Sequence, residues 1–352
     1  MSQRRYLYSY LIIILVLIGS CTSDDTDATG SPQEEEQGQG DENIDTDSLA
    51  INGCQNVVVA NNFAYAACGN GIEIVALETL ERNFLDFSAD DITVDSAMGL
   101  LFTQSGNDLR MFDLSNPMQP SEITTVSTNF GIFSGISAAN GIVVVSAGTG
   151  GSNTQVYTYT STGVNLANDG IPLVDGVTGN PDVHVAVSAN GATAFYSQDL
   201  GQVANWGIQI VEFEANGTIT GTPPVVVLTP RQFTGSFGIP FGPANFPSES
   251  EFLNNNLYVA HFGAPGIHTI DLQDSNALDL IPLSYEPTNI GTDGTSLFVV
   301  GVTQTNVDVI DPASNTIIEQ IAAPLQQPIG VAASESHIVV ADRSQGLVVI
   351  IR

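Results

Sequence analysis

The chain of 352 residues contains no lysine and only seven arginines, set against 38 acidic side chains, for a formal net charge of −31. So anionic a surface repels phosphate backbones and acidic lipid head groups, which argues against nucleic acid as a partner and against a polybasic route to membranes. Three cysteines, four histidines and one tryptophan leave little material for thiol or metal chemistry. The spacings that carry common chemistries are missing too: there is no Gly-x-Ser-x-Gly elbow, His-Glu-x-x-His pair, Walker loop, Cys-x-x-Cys or Asp-x-Asp-x-Asp-Gly calcium loop. No useful window repeats its apolar residues every 3.6 positions, so helices are not expected. No apolar run reaches the roughly 20 residues needed to cross a bilayer.

What is present begins with Arg4 and Arg5, an apolar run from Leu11 to Ile18, and then Gly19-Ser20-Cys21. Positive, apolar and small segments in that order read as a secretory signal over residues 1–20. Ile18-Gly19-Ser20-Cys21 also resembles the bacterial lipobox, which implies acylation of Cys21 and a lipid anchor as the sole membrane attachment. The alternative is an ordinary signal with a chance cysteine. Residues 21–47 carry ten acidic side chains, no basic one and little that is apolar, so they read as a flexible tether. The stretch Cys21-Thr-Ser-Asp-Asp-Thr-Asp27 resembles the acidic export signal of surface-displayed lipoproteins. It implies a bacterial cell envelope location, outer-membrane and surface-exposed, with periplasm-facing attachment as the alternative. The acidity itself has two readings: solubility in a salty medium, or a carboxylate site for a divalent cation. The missing calcium loop favours the first.

With Cys21 acylated, Cys54 and Cys68 remain, an even number suited to an oxidising compartment. They flank Val57-Val58-Val59-Ala60, Asn61-Asn62 and Phe63-Ala64-Tyr65-Ala66, two strands about a tight turn. Folding that hairpin brings the two thiols opposite each other and predicts a disulfide.

From residue 48 to 352 the chain repeats. Each unit has an apolar strand, a turn of Asn, Asp, Ser or Gly, a second strand, a Gly-containing turn, and a third strand often closed by Asp. Turns at Asn62, Gly99, Gly141, Gly191, Asn256, Gly294 and Ser336 lie 37, 42, 50, 65, 38 and 42 residues apart. A period near 40 with three or four strands predicts an all-β, seven-bladed β-propeller. Runs such as Ile142–Val145 and Ile338–Val340 are apolar at consecutive positions, as strands are when both faces are covered. A two-sheet β-sandwich is the runner-up. The seventh unit stops at Arg352 without an outer strand, and Ser48-Leu49-Ala50-Ile51 precedes the first unit unpaired. These two ends are expected to pair and close the ring.

Phe63 to Val75 and Leu109-Arg-Met-Phe-Asp-Leu-Ser-Asn-Pro-Met-Gln-Pro120 resemble the LVIVD repeat of bacterial surface propellers, and Leu257–Asp271 and Ile338–Ile351 are similar to it. Val185-Ala-Val-Ser-Ala-Asn-Gly191 resembles an element of YVTN and lactonase-like propellers. Asp113, Asp271 and Asp311 end third strands, where a carboxylate fixes the next turn.

Candidate chemistry is sparse. His268 falls within a third strand and His337 at the start of a second, so both read as ordinary strand residues; His261 falls in a loop. Asp182 and His184 enter the first strand of the fourth unit, and Glu249 and Glu251 enter the fifth comparably. Together they could meet at a funnel mouth and hold Ca²⁺ or Zn²⁺, as in metal-dependent lactonase-like propellers; a solvated acidic entrance is the plainer reading. Between Thr218 and Ser248 a Pro- and Gly-rich insertion carries Phe233, Phe237, Phe241 and Phe246, with Trp206 in a neighbouring turn. These aromatics either plug the ring or present a contact surface. The favoured function is a monomeric, non-enzymatic binding or scaffold module for a protein, peptide or glycan, contacting through Trp206, Phe237, Phe241 and Phe246. The alternative is a metal-dependent hydrolase using His184, Glu249 and Glu251. No cofactor beyond that cation is expected.

Overall fold

The computed structural model describes residues 46–51, 53–128, 133–147, 153–172, 182–188, 191–202, 205–214, 225–228, 247–261, 265–271, 278–301 and 303–352. Side chains between 168 and 248 are outside the description. The lipobox with Cys21, and Phe233, Phe237, Phe241 and Phe246, therefore lie outside the described residues. Among the described residues there is no helix; the chain forms a ring of antiparallel sheets, a β-propeller.

Sheet 1 comprises β2 (Asn56–Ala60), β3 (Phe63–Ala67), β4 (Ile72–Ala76) and β5 (Arg82–Leu85). Sheet 2 comprises β6 (Asp91–Asp95), β7 (Leu100–Ser105), β8 (Asp108–Asp113) and β9 (Ser121–Ser127). Sheet 3 holds β10 (Phe133–Ala139), β11 (Ile142–Ala147), β12 (Asn153–Thr160) and β13 (Gly163–Pro172). Sheet 4 holds β14 (Asp182–Ser188), β15 (Gly191–Gln202), β16 (Asn205–Glu214) and β17 (Val225–Leu228). Sheet 5 is β18 (Pro247–Leu253), β19 (Asn256–His261), β20 (Ile267–Asp271) and β21 (Leu278–Ile281). Sheet 6 is β22 (Pro287–Thr292), β23 (Leu297–Gly301), β24 (Asn306–Asp311) and β25 (Thr316–Ala322). Sheet 7 joins both ends of the domain: β26 (Pro328–Ala333), β27 (His337–Asp342) and β28 (Gly346–Ile351), with β1 (Thr46–Leu49) outermost.

Six blades are recognisable as regular units, one fewer than the repeat predicts, whereas hydrogen bonding assembles seven four-stranded sheets. We number by sheet, because each innermost strand lies against the innermost strand of the next sheet and β26 lies against β2, which completes the circuit. Sheet 4 departs most from the common pattern: β15 and β16 run 12 and 10 residues, against 5 in β3 and β4.

The local reasons are plain. Asn61 and Asn62, Asn140 and Gly141, and Asn254 and Asn255 all adopt positive φ, the backbone that two-residue hairpins with a right-handed twist demand. Val143–Val145, Leu297–Val300 and Ile338–Ala341 are fully buried at every position, whereas the outer strand β25 is exposed at six of seven. The core is correspondingly a set of wedges between sheets. One cluster joins Tyr65 and Ile74 of sheet 1 to Ile92 and Leu101 of sheet 2; another joins Phe102 and Met111 to Val143 and Tyr157 of sheet 3. Seven four-stranded sheets stand around one ring instead of two stacked sheets, so the sandwich alternative fails.

The ring closes as expected, with a shift in bounds. β1 pairs antiparallel with β28, from Thr46 opposite Ile350 to Leu49 opposite Leu347. The closing strand thus starts two residues before Ser48, inside the stretch read as tether, and Ile51 is buried core instead of strand. Cys54 and Cys68 form the expected disulfide.

Candidate functional site

The innermost strands surround a central cavity of about 290 Å³. Its described lining is mixed, with Val57, Ile92, Ile136, Ile290 and Val331 beside Asn56, Thr93, Ser137, Glu249, Ser250, Glu251, Asn289 and Thr292, and polar atoms supply more of its surface than apolar ones. Polarity concentrates at the end where the innermost strands begin, which we call the leading face.

There the sequence builds a belt. β18, β22 and β26 each open on proline, Pro247, Pro287 and Pro328, and each shifts register before its ladder resumes at Glu249, Asn289 and Gly330. Proline suits a strand edge that faces a channel, since no ladder partner needs its missing N–H. The same rank is filled by Asn56 in β2, Asp91 in β6 and Gly135 in β10. His184 takes this place in β14: it stands four residues before the strand's last residue, as Glu249 does in β18.

Two arcs of this belt are tied across sheets. Asn56 Nδ2 donates to Asp91 Oδ1 at 2.7 Å, and the Ile136 N–H donates to Asp91 Oδ2 at 3.2 Å. Asn289 Nδ2 donates to Glu249 Oε2 at 2.8 Å, while Asn289 Oδ1 accepts the Val331 N–H at 2.9 Å. Each arc therefore spans three consecutive sheets and ends on the amide that follows a glycine, Gly135 or Gly330. Burial pushes the Asp91 carboxyl up to about 6, against the pull of hydrogen bonds from Asn56, Ile92 and Ile136.

The residues singled out from the sequence divide as follows. Asp182, His184, Glu249 and Glu251 do fall on adjacent innermost strands, β14 and β18. The side chains of Asp182 and His184 lie outside the described residues; among the side chains that are described, no group of three or more His, Cys, Asp or Glu is arranged to hold a metal. Trp206 is not in a turn, as its neighbourhood suggested; it is the second residue of β16, opposite Leu228 and Asp199. His261 ends β19 and is not in a loop. His268 lies in β20 and burial pushes it down to about 4. His337 opens β27, with its Nδ1 2.8 Å from Ser336 Oγ, and burial lowers its pKa. Asp113 and Asp311 cap their turns, accepting the Ser115 and Ala313 N–H groups at 2.8 and 2.9 Å.

Sequence reasoning missed Asn56, Asp91 and Asn289. The only local signal was the Pro-x-x spacing in Pro247-Ser-Glu249 and Pro287-Thr-Asn289, which marks the strand opening but not the partner across the gap.

The β15–β16 hairpin is the other feature of the leading face. Its ladder with β14 ends at Asp182 opposite Ser197, yet β15 continues to Gln202. Those five further residues face only Gly207, Trp206 and Asn205 of β16, with a register shift between Asp199 and Gln202, and carry the hairpin about 10 Å past its inner neighbour. Trp206 stands one residue from the Gln202–Asn205 pair that closes it. Residues 229–246, which include Phe237, Phe241 and Phe246, join the end of β17 to the start of β18 and so attach to this same face.

Comparison with known proteins supports the architecture. No family model matches the chain, so the LVIVD resemblance has no family match behind it, and no curated protein matches. Solved structures do. The hydrazine synthase of Kuenenia stuttgartiensis is 12% identical with a TM-score of 0.63, covering 87% of this chain and 97% of that one. A chain of the mitotic checkpoint complex is likewise 12% identical at 0.63, covering 96% and 99%. Virginiamycin B lyase from Staphylococcus aureus is 15% identical at 0.59, covering 88% and 99%. At such identities the likeness concerns the fold: this chain is a β-propeller.

Proposed function

We propose that this protein is a lipid-anchored β-propeller of the bacterial cell envelope, outer-membrane and surface-exposed, acting as a monomeric, non-enzymatic binding module for a protein, peptide or glycan. The observation that carries the reading is the extended β15–β16 hairpin, which sets Trp206 on the face to which the Phe237–Phe246 connection is attached. Rigid sheets hold such a projection in fixed geometry, and a tryptophan offers large contact area at small entropic cost. The Cys54–Cys68 bond fits export to an oxidising compartment, where the signal over residues 1–20 would send it. Cys21 would carry the lipid.

The competing reading is a metal-dependent hydrolase or lyase, motivated by the place of His184 beside Glu249 and by the fold likeness to virginiamycin B lyase. Against it, the Glu249 carboxylate is tied to Asn289 across the sheet boundary, which gives it structural work.

One experiment separates the two. The purified mature chain is probed on peptide and glycan arrays and analysed for metal. Binding that weakens at least tenfold in Trp206→Ala and Phe241→Ala, with melting unchanged, supports the module. Stoichiometric Ca²⁺ or Zn²⁺ lost in His184→Ala would replace it with the enzyme. Palmitate labelling that persists in Cys21→Ala would remove Cys21 as the site of the lipid.

A further inference from the structure

We propose that the Cys54–Cys68 disulfide is a stop at the ring's seam: it confines opening from the N-terminal side to residues before Cys54 and holds sheet 1 in the ring when β1 peels away. The lipid-anchored reading supplies a source of tension at residue 46, but the stop itself does not depend on that reading.

The seam is built in series. β1 has only four residues and is exposed or half-buried at every one, so it is the easiest strand to detach. The chain then turns inward, with the Ile51 N–H donating to Leu49 O at 2.7 Å and Ile51 buried. Gly53 follows at a φ of 85°, and next comes buried Cys54. Cys68 lies directly after β3, and Gln55 N–H donates to Ala67 O at 2.8 Å between them. One apolar cluster packs both cysteines with Leu49 and Ile51 and with Ala341, Leu347 and Val349 of sheet 7. The bond therefore sits where the last sheet meets the first.

What lies beyond Cys54 explains the need. The next strand, β2, borders the channel on one edge and is hydrogen-bonded within its sheet only to β3. Peeling that ran past residue 54 would take Asn56 from Asp91 and open the belt. With the disulfide closed, the same pull must move Cys68 and hence β3, which is flanked by strands on both sides. Local opening is set by how many contacts must break together, and the bond raises that number abruptly at one position.

Hydrogen exchange followed by mass spectrometry tests this on the mature full chain at neutral pH. In the oxidised protein, fast exchange is expected over 46–51 and slow exchange over 56–60. In Cys54→Ser/Cys68→Ser, exchange at 56–60 should rise on the order of tenfold or more, with 297–301 and 306–311 unchanged. Equal protection of β2 in both proteins would overturn the proposal. So would a uniform loss of protection in every sheet, which marks a general stabiliser. If the double variant does not fold, wild type reduced by a dithiol in native buffer gives the same comparison. Repeating it with residues 22–43 deleted separates this proposal from the anchored reading, since the stop should survive without the tether.

Discussion

Two sets of connections in the ring, the innermost hairpin turns and the crossings between sheets, are held to different standards of regularity. On the trailing face, where innermost strands end, the turns into the second strands span two to four residues in all seven sheets. On the leading face, connections from outer to innermost strands span five residues at 86–90, 128–132, 282–286 and 323–327, but nine at 173–181 and 18 at 229–246. Both long connections flank sheet 4, which also bears the extended hairpin. The lesson is that the innermost hairpin turns carry the repeat, whereas variation in the connections between sheets is concentrated beside sheet 4. Uniform turns between the first and second strands follow from the need to start each hairpin with the same twist. No such need restrains a connection that crosses from one sheet to the next.

Four experiments probe how the two kinds of connection hold the ring. The largest effect is expected at the seam. Deleting residues 46–53 uncovers the edge of β28 and removes Leu49 and Ile51 from the core, which should lower stability by about 5 kcal/mol. Deleting 22–43 should leave the melting temperature unchanged; equal losses in the two truncations would refute closure by β1. Gly346→Ala comes next. This glycine sits at a φ of 89°, and a β-carbon there would run into the Leu49 carbonyl and the Ile51 backbone. A loss of about 2–4 kcal/mol in chemical denaturation is expected.

Asp91 gives a smaller, pH-dependent effect. Its folded pKa is raised above the unfolded value, so the folded state binds the extra proton and this group favours folding more as pH falls through about 6. Wild type should gain about 1 kcal/mol between pH 7 and pH 5 relative to Asp91→Asn, which has no charge to bury. An identical pH profile for the two proteins would remove the carboxylate from the belt's energetics. The smallest effect is expected at Gln104 in β7, which is fully buried with neither amide atom partnered among the described residues. If a buried water serves it, Gln104→Leu should cost about 1 kcal/mol; a gain of similar size would mean a true orphan.

Much of the architecture could be read in advance because its causes are local. Asn-Asn and Asn-Gly pairs specify turns, and valine and isoleucine runs specify strands covered on both faces. The cysteine pair reads across a hairpin of known register. The same logic explains the errors. Trp206 looked like a turn residue because Ala204-Asn205 and Gly207 surround it, and the length of β15–β16 is set by cross-strand pairing that composition does not encode. The belt was illegible for a stronger reason: Asn56 meets Asp91 across 35 residues, and Asn289 meets Glu249 across 40.

The order of amino acids alone set the sheets, their turns and the disulfide, since each follows from alternation, twist or complementarity within a few dozen residues; the pairing of β1 with β28 was legible only because the last unit lacked an outer strand. The tertiary structure alone decided which side chains face one another between sheets. That choice depends on the angle and height at which neighbouring wedges pack, and on the register shifts at Pro247, Pro287 and Pro328 that set Glu249, Asn289 and Gly330 at one level.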